Sequence, residues 1–150
     1  MKAITTTAEA ETALDDMTSL IEKLSGLLEE ETALIKAGRV KQASEIAPTK
    51  SALAGELHAS VERLRANAKF LLRAAPARCN DLQRRQEQLR AVLQWNMIVL
   101  ATTHAVSEGI VRRLSGDLAR KTTLQVYGAS GRATPPNPRH GRPLAISRTL

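Results

Sequence analysis

Few side chains in this sequence are capable of chemistry, and they are poorly placed for it. The three histidines, His58, His104 and His140, stand on three separate segments, and the single cysteine is Cys79. No subset has the spacing of metal ligands, and no Ser/His/Asp arrangement has local support. Phosphate-cradling glycine loops of the GxxxxGK[ST] or GxGxxG type are missing as well. With one cysteine there is no internal disulfide, which fits a reducing compartment. Catalysis, a bound metal and a cofactor are therefore not expected.

Two charged residues say more. Glu31 and Lys50 occupy positions that the surrounding apolar pattern reserves for core residues. Glu31 lies seven residues before Gly38 and Lys50 twelve after it. An antiparallel turn at Gly38 brings them within about one turn of each other. The arrangement reads as a partly buried ion pair that sets helix register, or else as a charged contact for a partner. Asn96 breaks a third apolar row and reads in the same way, as a polar register device or a solvent-facing residue.

The elements that must position these residues are helices. Thr6 and Glu9 form a capping-box pair, and Ala10, Leu14, Met17, Ile21, Leu24, Leu28, Glu31 and Ile35 then step by fours and threes. That is a sustained a/d heptad row. A flanking row at Ala13, Leu20, Leu27 and Leu34 widens the apolar face, so more than one partner helix is expected. Gly38 ends this helix. A second row follows through Ala43, Ile46, Lys50, Leu53, Leu57, Val61, Leu64, Ala68 and Leu71, interrupted near Pro48 and ended by Pro76. A third helix is expected from Asn80, with Gln83 as its capping partner, through Leu82, Gln86, Leu89, Leu93, Asn96, Leu100, Thr103, Ser107, Ile110 and Leu114. The expected fold is all-α: an antiparallel helical hairpin or coiled coil of three long helices, about 6–37, 39–75 with a break near Pro48, and 80–122.

Composition agrees. Only Phe70, Trp95 and Tyr127 carry large rings, and the apolar mass is Leu, Ile, Val and Ala, as in helix–helix seams. No stretch is apolar enough for a membrane span, and the first residues show no apolar core of signal-peptide length. The expectation is a cytoplasmic chain. From 125 to 150 the glycines and prolines, with Arg132, Arg139, Arg142 and Arg148 and no acid, predict a disordered basic tail. This gives a helical domain at 1–124 and a tail at 125–150. The net charge of +7 is unevenly spread, because acids outnumber bases up to Gly38. Charge complementarity between neighbouring helices explains it without a polyanion.

The end of the third helix stands out. Val106, Ile110, Val111, Leu114 and Leu118 are apolar, and Gly109 and Gly116 lower helix propensity in the same stretch by roughly 1 kcal/mol each. An apolar, marginally stable helix end is a candidate partner-binding element. The alternative is that it folds back onto the second helix.

The ordered set of parts resembles the FlgN-type flagellar export chaperones. The resemblance rests on Glu31-Thr32-Ala33-Leu34, the Gly38 turn, Lys50-Ser51-Ala52-Leu53, Asn96, and Tyr127-Gly128-Ala129-Ser130-Gly131-Arg132, with Ile146-Ser147 in a basic, glycine-containing tail. It implies a cytoplasmic chaperone that holds the aggregation-prone terminal helices of the hook-associated subunits FlgK and FlgL. Such a chaperone then hands them to the type III export apparatus. It further implies substrate binding over about 100–122 and docking of Tyr127 at the export-gate component FlhA. Two other readings stand beside it: a structural coiled-coil adaptor or self-associating bundle, and a basic nucleic-acid-associated helical protein. Nucleic acid is the less expected partner, because Lys and Arg form no dense stripe and aromatics for stacking are scarce. Oligomeric state is left open by the sequence.

Overall fold

The computed structural model describes residues 4–124, with side chains to residue 120. The fold is all-α: α1 (Thr7–Lys36), α2 (Val40–Glu45), α3 (Ala47–Ala66), α4 (Ala68–Ala74) and α5 (Pro76–Leu124). No strand occurs among the described residues. The packing divides the chain between Ala105 and Val106.

Within 4–105, α1 is defined at both ends by local chemistry. The Thr6 hydroxyl accepts from Glu9 N–H at 3.2 Å, and the Glu9 carboxylate accepts from Thr6 N–H at 3.2 Å. This reciprocal pair is the expected capping box. At the other end Gly38 takes a left-handed φ of 73°. Gly38 N–H donates to Ile35 O at 3.0 Å and Arg39 N–H donates to Leu34 O at 2.9 Å. These two bonds are the Schellman closure, which satisfies carbonyls the helix leaves orphaned. Between the ends, the heptad row from Ala10 to Ile35 is buried throughout, Glu31 included. Of the flanking row only Ala13 is fully buried, while Leu20, Leu27 and Leu34 are half-buried.

The second expected helix is three. Pro48 sits in the first turn of α3, and the interruption falls just before it at Ile46. Proline has no N–H and its ring crowds the carbonyl four residues back, so the ladder breaks. Ile46 keeps right-handed helical angles (φ −75°, ψ −24°). The second break, at Asn67, was not foreseen. There the Asn67 amide donates to Arg63 O at 2.8 Å and its carbonyl accepts from Ile4 N–H at 3.1 Å. A side chain that takes over the i−4 carbonyl competes with the helix ladder.

The expected start of the third helix at Asn80 is corrected. α5 begins at Pro76, and Asn80 lies exposed inside it. A proline at the first helical position forfeits only an N–H that would be orphaned anyway. Ala75 alone separates α4 from α5.

α1 and α3 run antiparallel, as the Ile4–Asn67 and Lys50–Glu31 bonds at their opposite ends require. The first part of α5 runs parallel to α1. Its Arg85 meets Glu22 at a sequence separation of 63, and its Asn96 meets Glu31 at a separation of 65. Leu14, Met17, Ile21, Leu24 and Leu28 form the centre of the core, with Leu64, Leu71, Ala75, Leu82 and Leu89 packed around them. The face of α5 that meets this core differs from the expected row. Gln86 and Leu93 are exposed, whereas Val92 and Val99 are half-buried. Arg78–Asp15 (3.0 Å) and Arg85–Glu22 join α5 to the acidic α1. Both pairs are solvated and contribute little stability.

The residues from Val106 on form the second unit. They are helical to Leu124, and every side chain described in this stretch is exposed. A methyl group built at Gly109 or Gly116 meets nothing within 4 Å.

Candidate functional site

Glu31, Lys50 and Asn96 come from three different helices and meet at one point. The heptad row of α1 carries the Glu31 carboxylate inward, leaving the residue 4% exposed. Lys50 stands in the first turns of α3, where the Gly38 turn brings it back alongside α1. Its Nζ donates to Glu31 Oε1 at 2.6 Å and to Oε2 at 2.8 Å. Asn96, 2% exposed, directs its amide from α5 to Glu31 Oε2 at 2.9 Å, Thr32 Oγ1 at 3.1 Å and Leu28 O at 3.3 Å. The Thr32 hydroxyl donates to Leu28 O at 2.8 Å. The buried carboxylate thus accepts from an ammonium and an amide. A buried charge is tolerated when it is paired and its lone pairs are occupied.

Thr32 is the member of this node that sequence reasoning missed. It stood in the sequence only as part of the Glu31–Leu34 stretch, and its role emerges when Asn96 of α5 donates to its hydroxyl. Within the node the Lys50 ammonium neutralises the Glu31 carboxylate, and no histidine belongs to it.

Burial pushes the Cys79 thiol above its ordinary value, which lowers its thiolate content and its reactivity. Among the described residues no group of three or more His, Cys, Asp or Glu side chains is placed to hold a metal ion. In the same residues no helix is long and apolar enough to cross a membrane.

The expected partner-binding residues lie in the second unit. Val106, Ile110, Val111, Leu114 and Leu118 are between 45% and 58% exposed. By spacing, Ile110, Val111, Leu114 and Leu118 fall at helical i, i+3/i+4 intervals and share a stripe. Tyr127, the expected docking residue, lies outside the described residues, as does the expected tail.

Two grooves of the first unit were not foreseen. Trp95 is half-exposed, with Lys36 Nζ 4.8 Å from its ring centroid. It borders a groove of about 460 Å³ between α1 and α5 that Ala33 and Val92 help line. A second groove of about 480 Å³ lies between α3–α4 and α5, with Leu14, Met17, Leu64 and Leu71 among its lining residues. The signal for the second groove was present in the sequence. Cys79, Gln83, Gln86, Arg90, Leu93 and Met97 step by fours and threes along another face of α5.

No known protein-family model, curated protein or solved structure matches this chain.

Proposed function

We propose that this chain is an export chaperone of the FlgN type, which holds the terminal helices of hook-associated flagellar subunits of the FlgK and FlgL kind. In this reading it prevents their premature assembly and delivers them to the type III export apparatus in the cytoplasm. One observation carries the reading: the apolar stripe of Val106, Ile110, Val111 and Leu114 is solvent-exposed on a regular helix. A subunit that polymerises through terminal helices exposes an apolar stripe before assembly. A second helix with a matching stripe masks it by forming a mixed bundle. The resemblance at Glu31, Lys50 and Asn96 adds support, since those residues join three helices into one scaffold. Docking of Tyr127 at FlhA belongs to the same proposal.

The test is size-exclusion chromatography with light scattering of the full chain, alone and with FlgK- or FlgL-like subunits. A one-to-one complex is expected, abolished by the double substitution Ile110→Asp/Leu114→Asp. Unchanged complex formation by that variant refutes the mapping. A homodimer in place of a complex supports the structural adaptor instead. The nucleic-acid reading has less support: Arg65, Arg78, Arg84 and Arg85 are all engaged with carboxylates of this chain.

A further inference from the structure

Helix propensity alone does not break the run between α3 and α4. From Glu56 to Ala75 the chain contains neither proline nor glycine, and a single asparagine is only mildly disfavoured in a helix interior. The Asn67 backbone nevertheless sits at φ −110°, ψ 11°. Leu64 O, which in an unbroken helix accepts from Ala68 N–H, accepts from Asn67 N–H at 3.1 Å instead. Phe70 N–H likewise reaches back only three residues, to Asn67 O at 3.0 Å. The Asn67 side-chain amide occupies Arg63 O at 2.8 Å. A side chain inserted into the ladder in this way is one of the few causes of an interrupted helix.

The other end of that side chain is held from far along the chain. Its carbonyl accepts from Ile4 N–H at 3.1 Å. Ile4 itself is only 4% exposed and belongs to the same buried cluster as Leu71 and Ala75. The chain is pinned again just beyond it. Thr5 N–H, the Thr5 hydroxyl and Thr6 N–H all donate to Glu9 Oε2, at 2.9, 3.1 and 3.2 Å. Three successive N–H groups are thus taken by side chains, one from the α3–α4 joint and one from α1, with a buried apolar anchor at Ile4. The residues ahead of α1 form a fitted strap across the joint.

We propose that residues 4–6 are a conformational strap that holds the α3–α4 run in its interrupted state, and that withdrawing Ile4 lets Ala47–Ala74 close into one continuous helix. With the strap seated, the Asn67 carbonyl is anchored and its amide is aimed at Arg63 O. With the strap withdrawn, the amide loses that anchor. Asn67 N–H then returns to Arg63 O and Ala68 N–H to Leu64 O, and α4 is reoriented on α3 with Leu71. The ladder bonds gained on release offset part of the loss of Ile4 burial, so the two states are linked rather than independent. By the reciprocity of linked equilibria, whatever claims the strap sets α4, and whatever grips α4 sets the strap. The device lies within the first unit and does not draw on the stripe proposed for subunit binding.

The experiment follows amide hydrogen exchange by NMR in the full chain, comparing the wild type with Ile4→Asp, Ile4→Ala and Asn67→Ala. Ile4→Asp expels the anchor. Ile4→Ala loosens it more gently and decides the matter if the first variant fails to fold. Loosening a peripheral segment ordinarily speeds exchange around it. The strap predicts the opposite at one place. Ala68 N–H should exchange at least about tenfold more slowly in the Ile4 variants, while Thr5 and Thr6 exchange faster. Asn67→Ala should also slow Ala68, and it should speed exchange at Ile4, whose N–H loses its acceptor. Ala68 exchange that is unchanged or faster in the folded Ile4 variants overturns the proposal. Slowing in Asn67→Ala alone overturns it as well, because the break is then local to the asparagine.

Discussion

Lys50 Nζ lies 2.6 and 2.8 Å from the two carboxylate oxygens of Glu31, and Glu31 is the more buried partner, with 6% of its side chain exposed against 28% for Lys50. The pair is therefore asymmetric in what its loss leaves behind. Removing Lys50 strands a carboxylate in the core with only the Asn96 amide for company. Removing Glu31 leaves an ammonium that reaches water by way of its own stem. Lys50→Leu is expected to destabilise by about 3 kcal/mol, the usual scale for an orphaned buried charge. Glu31→Leu should cost less, and the double variant should recover much of the loss. Urea denaturation of all four proteins gives the coupling energy, and an additive double variant contradicts the pairing.

Asn96 joins α5 to the same carboxylate, so Asn96→Leu tests whether the third helix depends on it. The substitution removes donation to Glu31, Thr32 and Leu28 and buries more apolar surface. A net loss of about 1–2 kcal/mol is expected from unsatisfied acceptors. If the variant is instead more stable, the asparagine specifies register at the expense of stability, as a buried seam asparagine does in coiled coils.

The capping box predicts a pH dependence. The Thr5 backbone N–H, then the Thr5 hydroxyl and the Thr6 N–H, hold the Glu9 carboxyl below its ordinary value. A carboxyl whose folded value is depressed binds its proton less readily in the native state. Its contribution is present above the unfolded carboxylate pKa and fades as pH falls through the lower, folded one. Comparing melts of the wild type and Glu9→Ala between neutral and acidic pH should show their difference narrowing on acidification. Thr6→Ala should cost about 1 kcal/mol at neutral pH.

Gly38 ends α1 at φ 73°, with open space where a side chain would stand. Gly38→Ala therefore meets no clash but adopts a left-handed conformation, at an expected cost of roughly 1–2 kcal/mol. Gly38→Asn should cost less, because asparagine tolerates that region. Equal stability of the three proteins by chemical denaturation contradicts the Schellman assignment.

Gly109 and Gly116 lie within α5, also with open space around them. Here alanine should help: each substitution is expected to add about 1 kcal/mol of local helix stability. Hydrogen exchange over 106–120 should slow, while exchange in α1 stays as it was. Tighter or weaker subunit binding by the double alanine variant then reports whether the chaperone stripe acts as a preformed helix.

The parts of this fold that were legible in the sequence are those decided by neighbours along the chain. The capping box at Thr6, the turn at Gly38 and the α1 seam each depend on residues a few positions apart. The Glu31–Lys50 meeting followed from one turn and two residues out of character. The break at Asn67 was illegible because part of its cause, the N–H of Ile4, lies 63 residues away. The start of α5 was misread because a proline serves equally as a stop and as a first helical residue. The buried face of α5 was misread because two apolar rows compete there, and only the packed α1 decides that Val92 turns inward and Leu93 outward. For the exposed stripe on α5, spacing identified the residues, but exposure had to come from the fold.

The bonds at the two ends of α1 have a mechanical consequence. Ile4 N–H holds Asn67 at the start of the helix, and Glu31 holds Lys50 near its end. Pulled lengthwise against α3, the helix is in shear, and both clamps carry the force together. Peeled from the Ile4 end, since Gly38 joins the other end covalently to α2, it carries the force on Ile4–Asn67 first and on Glu31–Lys50 last, and it opens in sequence like a zip. The scaffold is therefore stiff against sliding and compliant against peeling, and the direction of pull decides which is felt.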